Sequence, residues 1–318
     1  MKKIILFLVV AFLCSCTSRS EENTQTDPSD EGGNPNDSKI IPIIGATGQS
    51  NTLFSRRTYS PFTDSNINVP IVFASSESAF PVSKVDNTIT AYDRVDDCMK
   101  SGEYVGNIWD FSNELWNSNW RSEHGKARFG LFSSAAGSNI SFGWNPEHSI
   151  NYRYQEFVLA LDQAIEHTKT LFPDYTPKLH TVIINQGEAN TYGLNTLVPW
   201  SNDWMLFIKK IREEYGNDVV FIIQTLNDQE LFSRQCGDAK VQKSCENYPL
   251  IRAEQLSLAT GSGSINEQEN VYIIDGNLLG NSSNRDTHTR DAVHYSLSGI
   301  SLMGKETYKV FKELNEIK

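Results

Sequence analysis

Positive charge is scarce in this sequence. Lysine and arginine number 28 against 39 aspartates and glutamates, a formal net charge of −11. Phosphate contacts need a basic footprint, so no nucleic-acid partner is expected. Cysteine is sparse as well, with five in 318 residues, and two of them, Cys14 and Cys16, fall near the N-terminus. The others, Cys98, Cys236 and Cys245, form no ligand-spaced set with histidine, so no metal centre is expected. No apolar run reaches the ~20 residues of a membrane-spanning helix. Internal repeats are absent, and no glycine-rich turn carries the lysine of a phosphate-binding loop. What remains is an ordinary globular composition, 39% hydrophobic and 21% charged, in a chain long enough to bury a sizeable core.

The longest apolar run, "IILFLVVAFL" from Ile4, follows Lys2 and Lys3 and has the length of a signal-peptide core. It leads into "LCSC", Leu13 to Cys16, which resembles a bacterial lipobox. That resemblance implies a lipoprotein signal peptide over residues 1–16, with Cys16 lipidated as the first mature residue. An ordinary secretory signal with incidental cysteines is the alternative. Residues 17–38 contain no large apolar side chain, so they cannot repay their own ordering and are expected to be a flexible acidic linker. Such tethers resemble those of Bacteroides-type surface lipoproteins. The implied location is the outer membrane, at its periplasmic face or the cell surface, with membrane contact only through the lipid. The folded domain is then expected over 39–318. Export permits a disulfide, and Cys236 and Cys245 flank "GDAKVQKS" closely enough to close a small loop, leaving Cys98 odd.

Five β-branched runs predict buried strands: "KIIPIIGA" from Lys39, "RFGLFSSA" from Arg128, "HTVIINQG" from His180, "VVFIIQTL" from Val219 and "NVYIIDGN" from Asn270. They are continuous rather than alternating, as parallel strands covered on both faces require. Helical spacing separates them, in "YQEFVLALDQAIEHTKTLF", "WMLFIKKIREEYG" and the C-terminal "SLSGISLMGKETYKVFKEL". This alternation predicts a three-layer α/β/α sandwich with a central, mostly parallel, five-stranded sheet. The Ser/Asn-rich interval from Thr52 to Lys126 reads as an elaboration above the sheet, with one helix in "NIWDFSNELWNSNW".

Ligands of open parallel sheets bind beyond the carboxyl ends of the strands, so each strand exit is a candidate for chemistry. The first exit is "GATGQSN". Asn51 replaces the third glycine of a dinucleotide fingerprint, and Thr52 replaces the last glycine of a G-x-S-x-G elbow. Ser50 is left at a strand-to-helix turn, where backbone N–H groups and the helix dipole favour a developing oxyanion. An N-cap serine is the structural alternative. The second exit, "SSAAGSNISFGW", brings Gly137 to a strand end, where a bare N–H can approach a substrate oxygen. The third, "INQGEANTY", sets Gln186 and Glu188 directly after a buried strand. The fourth, "RDAVHYSLSG", spaces Asp291 and His294 so that a carboxylate can orient an imidazole as general base. The other histidines, His124, His148, His167, His180 and His288, lack such a setting.

In chain order these exits supply a nucleophile, oxyanion donors, an orienting carboxylate and a base. The set resembles the SGNH (GDSL-like) hydrolases, in their carbohydrate esterase branch of sialate O-acetylesterases and acetylxylan esterases. That branch carries its nucleophile in G-Q-S-N, as at Gly48 to Asn51, then a glycine-rich turn followed by tryptophan, as at Gly137 and Trp144. Q-G-E follows, as at Gln186 to Glu188, then D-x-x-H, as at Asp291 to His294. "YPLIRAEQLSLA" is similar to the branch's segment before its last strand. Two positions depart from the pattern: Ala136 stands where a second glycine is usual, and Asn190 where an acid is usual.

The resemblance implies a flavodoxin-like SGNH fold and an O-acetylated glycan as substrate. The implied catalytic residues are Ser50, His294 and Asp291. Ser50 N–H, Gly137 N–H and the Gln186 amide would form the oxyanion hole, and Asn51 and Glu188 would support it. Glu188 is also an alternative carboxylate partner for His294. This chemistry needs no cofactor. Trp109, Trp116, Trp120 and Trp144 are either core or sugar platforms. Two other functions fit the same segments, a non-catalytic glycan-binding lipoprotein on an esterase scaffold and a broader SGNH lipase or thioesterase.

Overall fold

The computed structural model describes residues 39–49, 52, 69–75, 88–95, 106–118, 120, 122–123, 126–135, 140–191, 199–227, 239–279 and 295–316. The expected signal peptide with Cys16, the linker, Cys98 and Cys236 lie outside these residues.

The strands are β1 (Ile40–Gly48), β2 (Ile71–Ser75), β3 (Thr88–Tyr92), β4 (Ser122–Glu123), β5 (Lys126–Ala127), β6 (Gly130–Ala135), β7 (Thr176–Asn185), β8 (Val220–Gln224) and β9 (Val271–Ile274). Among the described residues the α-helices are α1 (Asn107–Trp116), α2 (Tyr152–Leu171), α3 (Glu188–Thr191), α4 (Trp200–Tyr215), α5 (Ala239–Ser257) and α6 (Leu297–Glu316). Among the described residues, seven strands form one sheet in the order β3-β2-β6-β1-β7-β8-β9. All neighbours are parallel except β2 and β3. β4 and β5 make a separate two-stranded ribbon.

Side chains along a strand alternate between faces, and the core divides accordingly. Ile43, Phe132, Val182, Ile184, Phe221 and Ile223 pack with α2, α4 and α5 on one face. Ile44, Leu131, Ile183 and Ile222 pack with α1 and α6 on the other. Each such fully buried side chain contributes about 1.5–3 kcal/mol. The expected three-layer α/β/α sandwich is therefore present, and its central strands are apolar on both sides because both sides are covered.

The strand number differs from expectation. The five predicted strands are β1 and β6 to β9; β2 and β3 come from the interval assigned to an elaboration. Each is only five residues long. β3 lies at the sheet edge, where Ile89, Thr90 and Tyr92 are only half-buried and Ala91 is exposed, so its apolar signal is weak. A second difference lies around Cys245. Ala239–Ser244, read as part of a small loop, is the first stretch of α5. The pairing of Cys236 with Cys245 concerns a residue outside those described.

Register is what positions the candidate site. Gly48, at the end of β1, is level with Ala135 at the end of β6 and with Asn185 at the end of β7. Three strand exits thus open at one height in the middle of the sheet.

Candidate active site

The end of β1 is fixed by contacts that only glycine permits. Gly48 has φ +138°, and a Cβ there would lie 1.9 Å from the Asn185 carbonyl oxygen. The next residue, Gln49, is 2% exposed. Its N–H donates to Asn185 O at 2.9 Å, and its own carbonyl accepts from Thr52 N–H at 2.8 Å. Thr52 is buried, and its hydroxyl donates to Asn185 O at 3.3 Å. Ser50 and Asn51 lie outside the described residues, but in sequence they stand between these two buried, hydrogen-bonded positions.

Gly137 also lies outside the described residues, and the chain on either side of it is placed. Before it, Ser134 O accepts from the Thr47 hydroxyl at 2.7 Å. After it, a 3-10 turn at Ser141–Trp144 buries Trp144, whose indole N–H donates to the same Thr47 hydroxyl at 2.9 Å. Trp144 stacks on Trp204, with ring centroids 5.5 Å apart. It belongs to the core rather than to a sugar platform. Trp109, Trp116 and Trp120 are partly buried against the opposite core face.

Gln186 follows β7 and is fully buried. Its Oε1 accepts from the indoles of Trp200 at 2.5 Å and Trp204 at 3.3 Å. Its Nε2 donates to Asn190 Oδ1 at 2.7 Å and, at a longer 3.4 Å, to Gln49 Oε1. Gln49 Oε1 also accepts from Ala189 N–H at 3.2 Å. The backbone of Gln186 is held from α5, because Gln255 donates to its carbonyl at 2.9 Å while accepting from Leu226 N–H at 2.8 Å. Gln255 belongs to "YPLIRAEQLSLA", which gives that segment a physical role beside the site.

Beyond Asn190 the hydrogen bonds continue. Asn190 Oδ1 accepts from Ser141 N–H at 3.0 Å, and Asn190 Nδ2 donates to the Ser141 hydroxyl at 2.8 Å. The Ser141 hydroxyl donates to Asp203 Oδ2 at 2.5 Å, and Asn145 Nδ2 donates to Asp203 Oδ1 at 2.9 Å. Asp203 is 2% exposed and sits in the first turn of α4, where the helix dipole favours a carboxylate. The ends of β1, β6 and β7 are thus joined through buried side chains.

Asp291 and His294 lie outside the described residues, whereas the next residue, Tyr295, is buried. Burial pushes its phenol above the ordinary range, and the nearby charge of Glu188 adds to the shift. Glu188 is itself 2% exposed at the start of α3. The acid of the third exit therefore lies within electrostatic reach of the residue that follows His294.

Gln186 is thus placed among buried polar partners, and Glu188 is buried at the start of α3. Ser50, Asn51, Gly137, Asp291 and His294 are located only by their neighbours in sequence. Sequence reasoning overlooked Gln49, Ser141 and Asp203. An acid in a helix's first turn and a serine in a turn are too common to stand out, and Asn190 stands out only as a departure from the family pattern.

Comparison with known proteins identifies the architecture. Residues 84–308 match the model of the family described as "Carbohydrate esterase, sialic acid-specific acetylesterase". The chain belongs to this family. The sialic acid-specific acetylesterase match takes in Gly137, Gln186, Glu188, Asp291 and His294 and begins after Ser50. Membership makes the chain a hydrolase of the carbohydrate esterase class. Among solved structures it is similar in fold to a protein from Arabidopsis thaliana, at 16% identity and a TM-score of 0.50, covering 86% of this chain and 98% of that one. A carbohydrate acetylesterase from Xanthomonas citri also matches, at 16% identity and a TM-score of 0.40 over 74% of this chain and 49% of that one. No curated protein matches.

Proposed function

We propose that the protein is a carbohydrate O-acetylesterase that removes acetyl groups from an O-acetylated glycan through an acyl-enzyme. The register of the sheet carries the reading. Ser50, Gly137 and Gln186 follow, by at most two residues, three strand ends that share one height at the centre of a parallel sheet. Family membership supports ester hydrolysis on a carbohydrate.

In the proposed mechanism His294 removes the Ser50 hydroxyl proton as the oxygen attacks the acetyl carbonyl. Asp291 holds the imidazole tautomer and stabilises the imidazolium. The N–H groups of Ser50 and Gly137 and the Gln186 amide receive the oxyanion, each donor contributing about 3 kcal/mol. For Gln186 the natural donor is the hydrogen it shares weakly with Gln49, since the other is committed to Asn190. The sugar hydroxyl leaves with a proton from His294, and water then hydrolyses the acetyl-Ser50 ester with His294 again as base. Glu188 is the alternative carboxylate partner of His294 in this reading.

The test is acetyl-ester turnover by the purified protein beside Ser50→Ala. We expect acetate esters to be hydrolysed by the parent, with butyrate and longer esters poorer, and the rate to fall to background in the variant. Equal background rates for both proteins contradict the mechanism and favour a glycan-binding scaffold; a preference for long acyl chains favours a lipase or thioesterase. By the same proposal the enzyme is held at the outer membrane through lipid on Cys16. Metabolic labelling with a radioactive fatty acid should mark the parent and not Cys16→Ser, and equal labelling of both contradicts it.

A further inference from the structure

We propose that Asp203 is a positioning residue for the reaction. Through Ser141 and Asn190 it closes, as the charged acceptor, a buried hydrogen-bond relay that holds the Gln186 amide nitrogen at the strand ends. This inference rests on the esterase reading above, and its test separates the two.

The two ends of the relay differ in chemistry. At one end the Trp200 and Trp204 indoles, which can only donate, meet Gln186 Oε1. At the other end the Asp203 carboxylate, which can only accept, takes the Ser141 hydroxyl and the Asn145 amide. Between them Gln186 donates to Asn190, Asn190 to Ser141, and Ser141 to Asp203. Each of these middle groups has both donor and acceptor capacity, so its orientation is not fixed by its own chemistry. Donor-only and acceptor-only ends leave one arrangement in which every member is satisfied. Turning Asn190 over would set its NH₂ against both Ser141 N–H and Gln186 Nε2.

Burial makes this arrangement consequential. Ser141, Gln186 and Asp203 are at most 2% exposed and Asn190 9%, so water is a poor substitute for a missing partner. An amide at position 203 replaces the carboxylate only at the loss of a hydrogen bond. With its oxygen toward Ser141, its NH₂ faces the Asn145 NH₂, and turning Asn145 over would give up the bond its Oδ1 accepts from Glu147 N–H at 2.9 Å. With its oxygen toward Asn145, its NH₂ faces Ser141 and the serine proton has no acceptor. Either way the pull on Asn190 weakens, and with it the hold on Gln186.

A reciprocal exchange repairs the accounting. In Asp203→Asn combined with Asn190→Asp, the amide at 203 accepts from Asn145 and donates to Ser141. The Ser141 hydroxyl then turns to the new carboxylate at position 190. That carboxylate still accepts from Ser141 N–H and Gln186 Nε2.

The experiment compares the parent, Asp203→Asn, the milder Ser141→Ala and the exchange double variant. It uses acetyl-ester kinetics and the indole N–H resonances of Trp200 and Trp204. For the single variants we expect both indole resonances to move and kcat to fall about tenfold, a displacement effect, with KM held within about twofold. The double variant should recover both readouts. Unmoved indole resonances in folded Asp203→Asn and Ser141→Ala overturn the relay whatever the kinetics. Moved resonances with unchanged kcat overturn the positioning role, as does a double variant no better than Asp203→Asn. If the parent itself turns over no acetyl ester, the esterase reading fails, and the indole resonances alone judge the relay.

Discussion

Asn185 and Gln186 are neighbours at the end of β7, yet they enter two buried polar systems on opposite faces of the sheet. Asn185 Nδ2 donates to Gln224 Oε1 at 2.8 Å, where Asn107 Nδ2 also donates at 2.5 Å. Gln224 Nε2 passes to the Thr307 hydroxyl at 2.9 Å, which ends on the Met303 carbonyl at 2.7 Å. That system holds no charge and ties β7 and β8 to α1 and α6. The Gln186 system ends on a carboxylate and two indoles and ties together the exits of β1, β6 and β7. Similar amides at adjacent positions thus do different work: one set fastens helices to the sheet, the other holds the rim from which the chemistry is proposed to arise.

The largest effect is expected at the turn packed against the Asn185 carbonyl, beside both systems. Gly48→Ala puts a methyl 1.9 Å from Asn185 O at a φ of +138°. Backbone strain and overpacking together should cost about 2–6 kcal/mol, and activity should disappear with the turn. Thermal unfolding and ester turnover check both; an active, equally stable variant contradicts the role given to this turn. Next in size is the tenfold loss of kcat expected for Asp203→Asn. On the other face Thr307→Val removes the acceptor of Gln224 Nε2. It should cost about 1–3 kcal/mol of stability with kcat and KM unchanged at temperatures where the variant is folded. A matching loss of kcat there would erase the distinction between the two systems.

The fold was largely legible because its central strands are β-branched runs covered on both faces, a pattern that survives in one dimension. β1 and β6 to β9 carry that pattern, and α2 carries apolar spacing along its whole length. β2 and β3 did not stand out, being five residues each with β3 only half-buried at an edge. α5 was hidden because its N-terminal stretch, "AKVQKSC", has the polarity of a loop.

The site divides in the same way. Gly48, Gln186 and Glu188 were visible because strand ends and motif order mark them. The relay behind them was not, because Ser141 and Asp203 lie 62 residues apart and meet only through packing. Asn190 sits where the resemblance leads one to look for an acid, and the buried acid of this network comes instead from α4, as Asp203.

By the proposed mechanism Ser50 carries the acetyl group during turnover. Brief reaction with an activated acetyl ester, acid quench and mass spectrometry of the digested protein tests it most directly. The account predicts an acetyl adduct on the peptide containing Ser50, absent from Ser50→Ala and formed far more slowly in His294→Ala. Steady turnover of the ester by Ser50→Ala, or an adduct confined to another residue, would contradict it.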